Sequence, residues 1–202
     1  NTATVVTSLS GTYTVGSGGS YDFTKLYEAI SALNAGIVCN DVYFELQSTY
    51  DGTTGEVFPM DINAVNYSGG PWNVTFRPAA GVSTRSTIGN PGSGVNFINL
   101  NGCSNIFFDG RAGGTGSTSA WILRNSQTAT TYTPTFQFIN DASDNVLRYL
   151  QIEGQNQSTS SGTVVFSTAV TTGNDDNIIE YCDIRDGSAQ PYNAIYASGT
   201  GL

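Results

Sequence analysis

A short phrase of β-branched and aromatic residues returns along this chain at a nearly fixed interval. It reads Asp41-Val42-Tyr43-Phe44, Asn73-Val74-Thr75-Phe76, Asn105-Ile106-Phe107-Phe108, Asn145-Val146-Leu147 and Asn177-Ile178-Ile179. Successive starts lie 32, 32, 40 and 32 residues apart. A period of this size marks stacked repeats. One unit is too small to bury its own apolar face, so neighbouring units must stack to build a continuous core.

Between these phrases run a second set of strand candidates and the turns that join them. Val95 to Leu100 turns at Asn101-Gly102 into the phrase at Asn105, and Thr135 to Ile139 turns at Asp141-Ala142-Ser143 into the phrase at Asn145. Val164-Val165-Phe166 passes through Gly173-Asn174-Asp175 into the phrase at Asn177. The Gly/Ser/Thr stretches 111–119 and 155–162 read as loops. The 40-residue interval holds the first of them plus Trp121-Ile122-Leu123, which reads as an insertion. With 24 glycines and 23 aromatic residues (10 Phe, 11 Tyr, 2 Trp), the chain is too aromatic for disorder and too interrupted for a helical protein.

One segment departs from this pattern. Phe23, Leu26, Ala29, Ile30 and Leu33 share one face at helical spacing, with Asp22 as the expected N-cap and Gly36 as the stop. A single amphipathic helix ahead of stacked strands suits a cap that covers the apolar end and the first open strand edge. The expected fold is therefore all-β, a right-handed parallel β-helix solenoid with an N-terminal amphipathic capping helix. It forms one domain over 1–202: residues 1–36 hold the first strand and cap, and 37–202 the stacked coils. Ser198-Gly199-Thr200-Gly201-Leu202 breaks off inside a unit, so coils are expected to continue beyond 202.

The stacking also predicts side-chain columns. Aligning the last two units sets Leu147 over Ile179, Leu150 over Cys182 and Ile152 over Ile184, all pointing inward. Tyr149 falls over Tyr181, and Arg148 over Glu180 is expected to form an inter-coil ion pair. Asn105, Asn145 and Asn177 are expected to form an amide ladder. Leu26 and Ile30 are expected to anchor the cap.

At this point the chain resembles the pectin-lyase-like superfamily of parallel β-helices. The likeness rests on Gly18-Gly19-Ser20-Tyr21-Asp22-Phe23, a helix ending Glu28-Ala29-Ile30, then Val42 to Leu46, Ser48-Thr49-Tyr50, Met60-Asp61-Ile62, and the coil phrase Asn177 to Ile184. Leu9 to Gly16 and Ala194 to Thr200 are similar to the N-terminal β-helix regions of Bacteroidota surface proteins. That resemblance implies an adhesin-like protein of the kind exported by type IX secretion, located outside the cell or at its surface.

The formal charge is −9, with Lys25 and six arginines against 16 acids. No basic stripe exists for nucleic acid, and no run approaches a membrane span. Without histidine, Asn174-Asp175-Asp176 lacks the companion motifs of a polygalacturonase-like hydrolase and reads as a turn. Arg148, Arg185, Asp109, Asp144, Asp183 and Asp186 match no lyase spacing. Asp51 to Glu56 lacks the acid spacing of a calcium loop, and dispersed cysteines argue against zinc. No cofactor or metal is called for. Cys39, Cys103 and Cys182 imply no disulfide framework, though one Cys39–Cys103 bridge stays open. Asn66, Asn73 and Asn156 match the glycosylation acceptor pattern.

Aromatic residues near turns offer the remaining chemistry. Tyr149, Tyr181, Trp72 and Trp121 are the candidate carbohydrate-binding residues, by ring stacking on a glycan. The expected function is a non-catalytic extracellular portion of a surface adhesin or secreted repeat protein, with a polysaccharide or another surface protein as partner. The alternative is the N-terminal part of a carbohydrate-active enzyme whose catalytic coils lie outside this chain.

Overall fold

A computed structural model describes residues 7–198. The terminal Gly199 to Leu202, and with them the end of the Ala194–Thr200 phrase, lie outside the described residues. Among the described residues, fifteen strands, numbered in chain order, wind into three sheets whose pairings are parallel throughout. The recurrent phrase builds the first sheet: β1 (Ser8–Val15), β2 (Ile37–Leu46), β4 (Val74–Pro78), β7 (Ile106–Asp109), β10 (Val146–Arg148) and β13 (Ile178–Glu180). The second holds β5 (Arg85–Gly89), β8 (Trp121–Asn125), β11 (Gln151–Gly154) and β14 (Asp183–Asp186). The third holds β3 (Met60–Asn63), β6 (Ile98–Asn101), β9 (Phe136–Ile139), β12 (Val164–Phe166) and β15 (Ile195–Ala197). The chain visits the three sheets in turn and climbs one strand per visit, which makes it a parallel β-solenoid of about six turns.

Each coil thus carries three strands where the sequence shows two phrases plainly. Trp121-Ile122-Leu123 is no insertion but the start of β8 in the second sheet. The extra residues of the long interval lie instead in the loops around it, including a 3₁₀ turn at Ala112–Gly114.

Vertical registry fills the interior. Phe44, Phe76 and Phe108 stack at centroid spacings of 4.9 and 5.0 Å, close to the strand separation that parallel pairing imposes. The column continues through Leu147 and Ile179, in the expected register. Ile152 lies over Ile184 as expected, and Cys182 packs against the core near Leu150. The three cysteines are free thiols.

The cap helix α1 runs Leu26–Ala35 and buries Leu26, Ala29, Ile30 and Leu33. Its start differs from expectation. Asp22 does not cap it; that carboxylate accepts from the Thr14 backbone N–H at 2.7 Å and the Thr14 hydroxyl at 2.8 Å. Glu28 instead reaches back to the N–H groups of Thr24 and Lys25. Glu56, from the following loop, accepts from the N–H groups of Leu26 and Tyr27 at 3.0 and 3.1 Å. Two carboxylates thereby satisfy the open donors at the positive helix end.

At the other end, Asn34 closes a strand edge. Its Nδ2 donates to the Asp61 carbonyl at 2.6 Å, and its Oδ1 accepts from the Asn63 N–H at 3.0 Å. One side-chain amide thus supplies the donor and acceptor that a neighbouring parallel strand would have given β3.

The asparagine ladder forms in part. Asn145 Nδ2 donates to Asn177 Oδ1 at 3.0 Å, but Asn105 is not beneath them. The step from β7 to β10 is 39 residues, with Phe107 opposite Val146. Asn145 therefore sits over Ile106 and accepts its N–H at 3.1 Å. The true counterparts of Asn105 are Asp144 and Asp176. All three hold left-handed backbone, with φ of 59°, 59° and 54°, a conformation that Asn and Asp tolerate best among non-glycine residues.

Candidate functional site

The Tyr149–Tyr181 corner joins the first sheet to the second. Both tyrosines occupy left-handed backbone, φ 51° and 52°, because the chain turns sharply between β10 and β11 and again between β13 and β14. Their rings stack 4.8 Å apart with planes 16° from parallel. One coil earlier the same position is Gly110, where a Cβ would fall 1.8 Å from the Tyr149 carbonyl oxygen. Only glycine allows the approach, so the tyrosine stack begins at Tyr149. Arg111 lies over the Tyr149 ring at 4.6 Å, an arrangement favourable to a cation and a ring face. Tyr181 is 70 % exposed.

Beneath this corner runs a column of alternating charge: Glu45, Arg77, Asp109, Arg148, Glu180. Arg148 lies in register with Glu180 as expected, but the expected ion pair does not form. Arg148 instead binds Asp109 on the preceding coil, with Nε and Nη2 each 2.9 Å from Oδ2. Asp109 also takes a forked contact from Arg111, at 2.9 and 2.7 Å. The Asp109 side chain is 1 % exposed, so pairing Arg148 there answers a buried carboxylate, whereas Glu180 reaches water. Burial pushes the Asp109 carboxyl up. Hydrogen bonds from Arg111 and the charges of Arg148 and Arg111 outweigh that and hold it below its ordinary value.

The second sheet repeats the device with opposite sign order. Glu153, also buried, is clasped between Arg124 and Arg185, the latter at 2.8 Å. Arg185 meets Asp183 as well, at 2.9 Å. Arg77 pairs with Glu45 at 2.7 Å. Arg85 donates to the Ser48 and Ser83 carbonyls, and Lys25 to those of Asp51 and Thr54. All seven cationic side chains are engaged within the chain.

Of the acids weighed for catalysis or metal binding, Asp51, Glu56, Asp109 and Asp183 have structural partners, whereas the side chains of Asp144 and Asp186 have none among the described residues. Asp51 accepts from the Thr53 hydroxyl and N–H and the Thr54 hydroxyl, which hold its carboxyl at about 2. Its loop closes on Lys25 and, through Glu56, on the cap helix. Burial pushes the Glu56 carboxyl up, against the donors of Leu26, Tyr50 and Tyr27 that bind it. Asp141 sits in a ring of four N–H groups, from Val170 to Gly173 on the next coil. These contacts, with Thr171 foremost, hold its carboxyl at about 2. Asp175 and Asp176 lie in the turn before β13, Asp176 in left-handed backbone. Among the described residues, no three acid or thiol side chains gather as a metal site.

The two tryptophans differ from the tyrosines. Trp121 is fully buried and its indole N–H donates to Thr87 at 3.0 Å, inside the coil. It offers no ring face to a ligand in solvent. Trp72 is half-buried against the core, with its indole N–H on the Ser68 carbonyl. Of the acceptor asparagines, Asn66 and Asn73 are exposed, whereas Asn156 is 2 % exposed and bonded to loop carbonyls. Sequence reading missed Arg111, whose place in a Gly-rich loop gave no sign of the Tyr149 contact. It also missed a cleft beside the cap helix.

Comparison with protein-family models, with curated proteins and with solved structures found no match. The fold and its side chains carry the functional argument alone.

Proposed function

We propose that this chain is a non-catalytic recognition portion of a secreted or cell-surface repeat protein, and that it binds extracellular polysaccharide at the Tyr149–Tyr181 corner. In this reading it is a pectin-lyase-like β-helix of the kind found in Bacteroidota adhesins that leave the cell by type IX secretion. The observation that carries the proposal is the tyrosine pair itself. Two rings are held parallel by registry and by fixed turn geometry, and the outer one is 70 % exposed. A preformed aromatic face costs little ordering on binding and suits the apolar face of a pyranose ring.

The electrostatics support the same reading. The cations a polyanion would need are engaged internally, and the buried carboxylates Asp109 and Glu153 nearest the corner are held in ion pairs with arginine. A neutral glycan surface asks for neither.

The test is calorimetric titration of the 202-residue chain with a panel of neutral and acidic polysaccharides. A neutral polysaccharide is expected to bind, and Tyr181→Ala to weaken it at least tenfold while the melting temperature holds. Turnover of any panel member, or binding indifferent to Tyr181→Ala, overturns the proposal.

A further inference from the structure

A second polar surface lies at the opposite end of the molecule, where the cap helix stands beside the first strand of the third sheet. Tyr27 and Ser31 from α1, Val57 and Pro59 from the preceding loop, and Asp61 and Asn63 from β3 line a cleft of about 260 Å³. Ile30 and Met60, both almost wholly buried, make its floor. The walls are fixed. Asn34 ties the helix to β3 through two hydrogen bonds, and Phe58 anchors the loop by stacking on Phe97 at 4.4 Å. This volume falls just below that of drug-sized pockets, which limits the occupant to something like a single ring.

The outer face of the third sheet sets the polarity of the rim. Asn140 Nδ2 donates to Asn101 Oδ1 at 2.7 Å, and Asn101 Nδ2 donates to Asn63 Oδ1 at 2.8 Å. Three amides on successive coils thus point their donors the same way. The chain ends at Asn63 Nδ2, which has no acceptor among the described residues. Aligned amides polarise one another, so this terminal donor is strengthened. Two residues away, Asn99 Nδ2 occupies Asp61 Oδ1 at 2.6 Å and leaves Asp61 Oδ2 without a donor among the described residues. The rim therefore offers one strong donor and one charged acceptor from the same face of β3, where residues i and i+2 are neighbours. Across from them lie Tyr27 and Val57, the latter 54 % exposed.

We propose that this cleft binds one neutral hexopyranose through a vicinal diol. One hydroxyl donates to Asp61 Oδ2, its neighbour accepts from Asn63 Nδ2, and the C–H face of the ring rests on Tyr27 and Val57. Among the described residues Asp61 is the one charged side chain of the lining, so a uronate or a phosphorylated sugar is repelled. The site is separate from the tyrosine corner and does not rest on it.

The experiment is an amide-resolved NMR titration of the 202-residue chain with methyl glucoside, methyl galactoside, methyl mannoside and glucuronate. At least one neutral glycoside is expected to shift the amides of Tyr27, Ser31, Asp61 and Asn63 saturably, with glucuronate at least tenfold weaker. Asp61→Asn keeps the acceptor that Asn99 uses and is expected to weaken binding tenfold or more. Val57→Trp fills the open rim from an exposed position and is expected to abolish it. Tyr181→Ala should leave these shifts unchanged, which separates failure here from failure of the tyrosine reading. Absence of saturable shifts, shifts that survive Val57→Trp, or glucuronate binding as tightly as the neutral glycosides each overturn the proposal.

Discussion

Asp109 shows at the scale of one residue how a weakly charged chain uses its few ions. A carboxylate with a 1 % exposed side chain is costly unless paired, and two arginines from neighbouring positions pair it. Asp109→Ala removes the acceptor and strands Arg111 and Arg148 against one another. These retain 16 % and 30 % exposure and can reach water, so the loss should be about 2–3 kcal/mol, below that of a fully enclosed broken pair. Urea unfolding of both proteins measures it; a loss under 0.5 kcal/mol would show that the network is incidental. The pH dependence follows from the depressed carboxyl. Its stabilisation is complete above the ordinary value near 3.8 and is lost as pH falls through the lower folded value. Asp109→Ala should therefore flatten the acid limb of stability, with the gap between the two proteins narrowing as pH falls below 3.8.

At the scale of elements, the cap helix is held by its apolar face and by borrowed polar groups. Leu26 and Ile30 are buried, and Leu26→Asp or Ile30→Asp should destabilise by a few kcal/mol, roughly lost burial plus an unpaired charge. Thermal melts decide this; a variant that melts like the parent would make the helix peripheral. The helix, its stop at Gly36 and the 32-residue period were legible because apolar spacing is a local signal. The second sheet was legible only at the Ile152–Ile184 pair, and Thr87 shows why. It lies in the same inward column as Leu123, Ile152 and Ile184, yet it is polar. Its hydroxyl is satisfied there by the Trp121 indole and the Tyr50 hydroxyl, both 3.0 Å away. A pattern read from apolar residues skips such a strand, and for the same reason Trp121-Ile122-Leu123 read as an insertion. The Arg148–Glu180 expectation failed differently. Registry was right, but each residue in a solenoid has a neighbour on both sides, and only burial told which acid would win. The rim donor at Asn63 arises from three amides 38 and 39 residues apart, a relation no local pattern contains.

At the scale of the whole 202-residue chain taken by itself, stability should fall along the solenoid axis. A stacked array gains its stability from each unit and from the interfaces between neighbours. The early coils hold the Phe44–Phe76–Phe108 stack and a cap that closes their end. From Phe166 to Ser198 no residue is buried, and Ile178 and Ile195 are about half exposed. The strands β13, β14 and β15 each pair on one side only among the described residues. With few enclosed contacts, these segments belong to the low-stability end of the molecule. Native-state hydrogen exchange should show the amides of Val74 and Ile106 opening only with global unfolding. Those of Ile178 and Asp183, bonded to the Asn145 and Leu150 carbonyls, should open with a free energy lower by about 2 kcal/mol or more. Thermolysin under native conditions should first cut within residues 167–198, since trypsin has only Arg185 to attack there. Equal protection at both ends would mean that the array unfolds as one unit and that its interfaces outweigh the missing burial of the last coil.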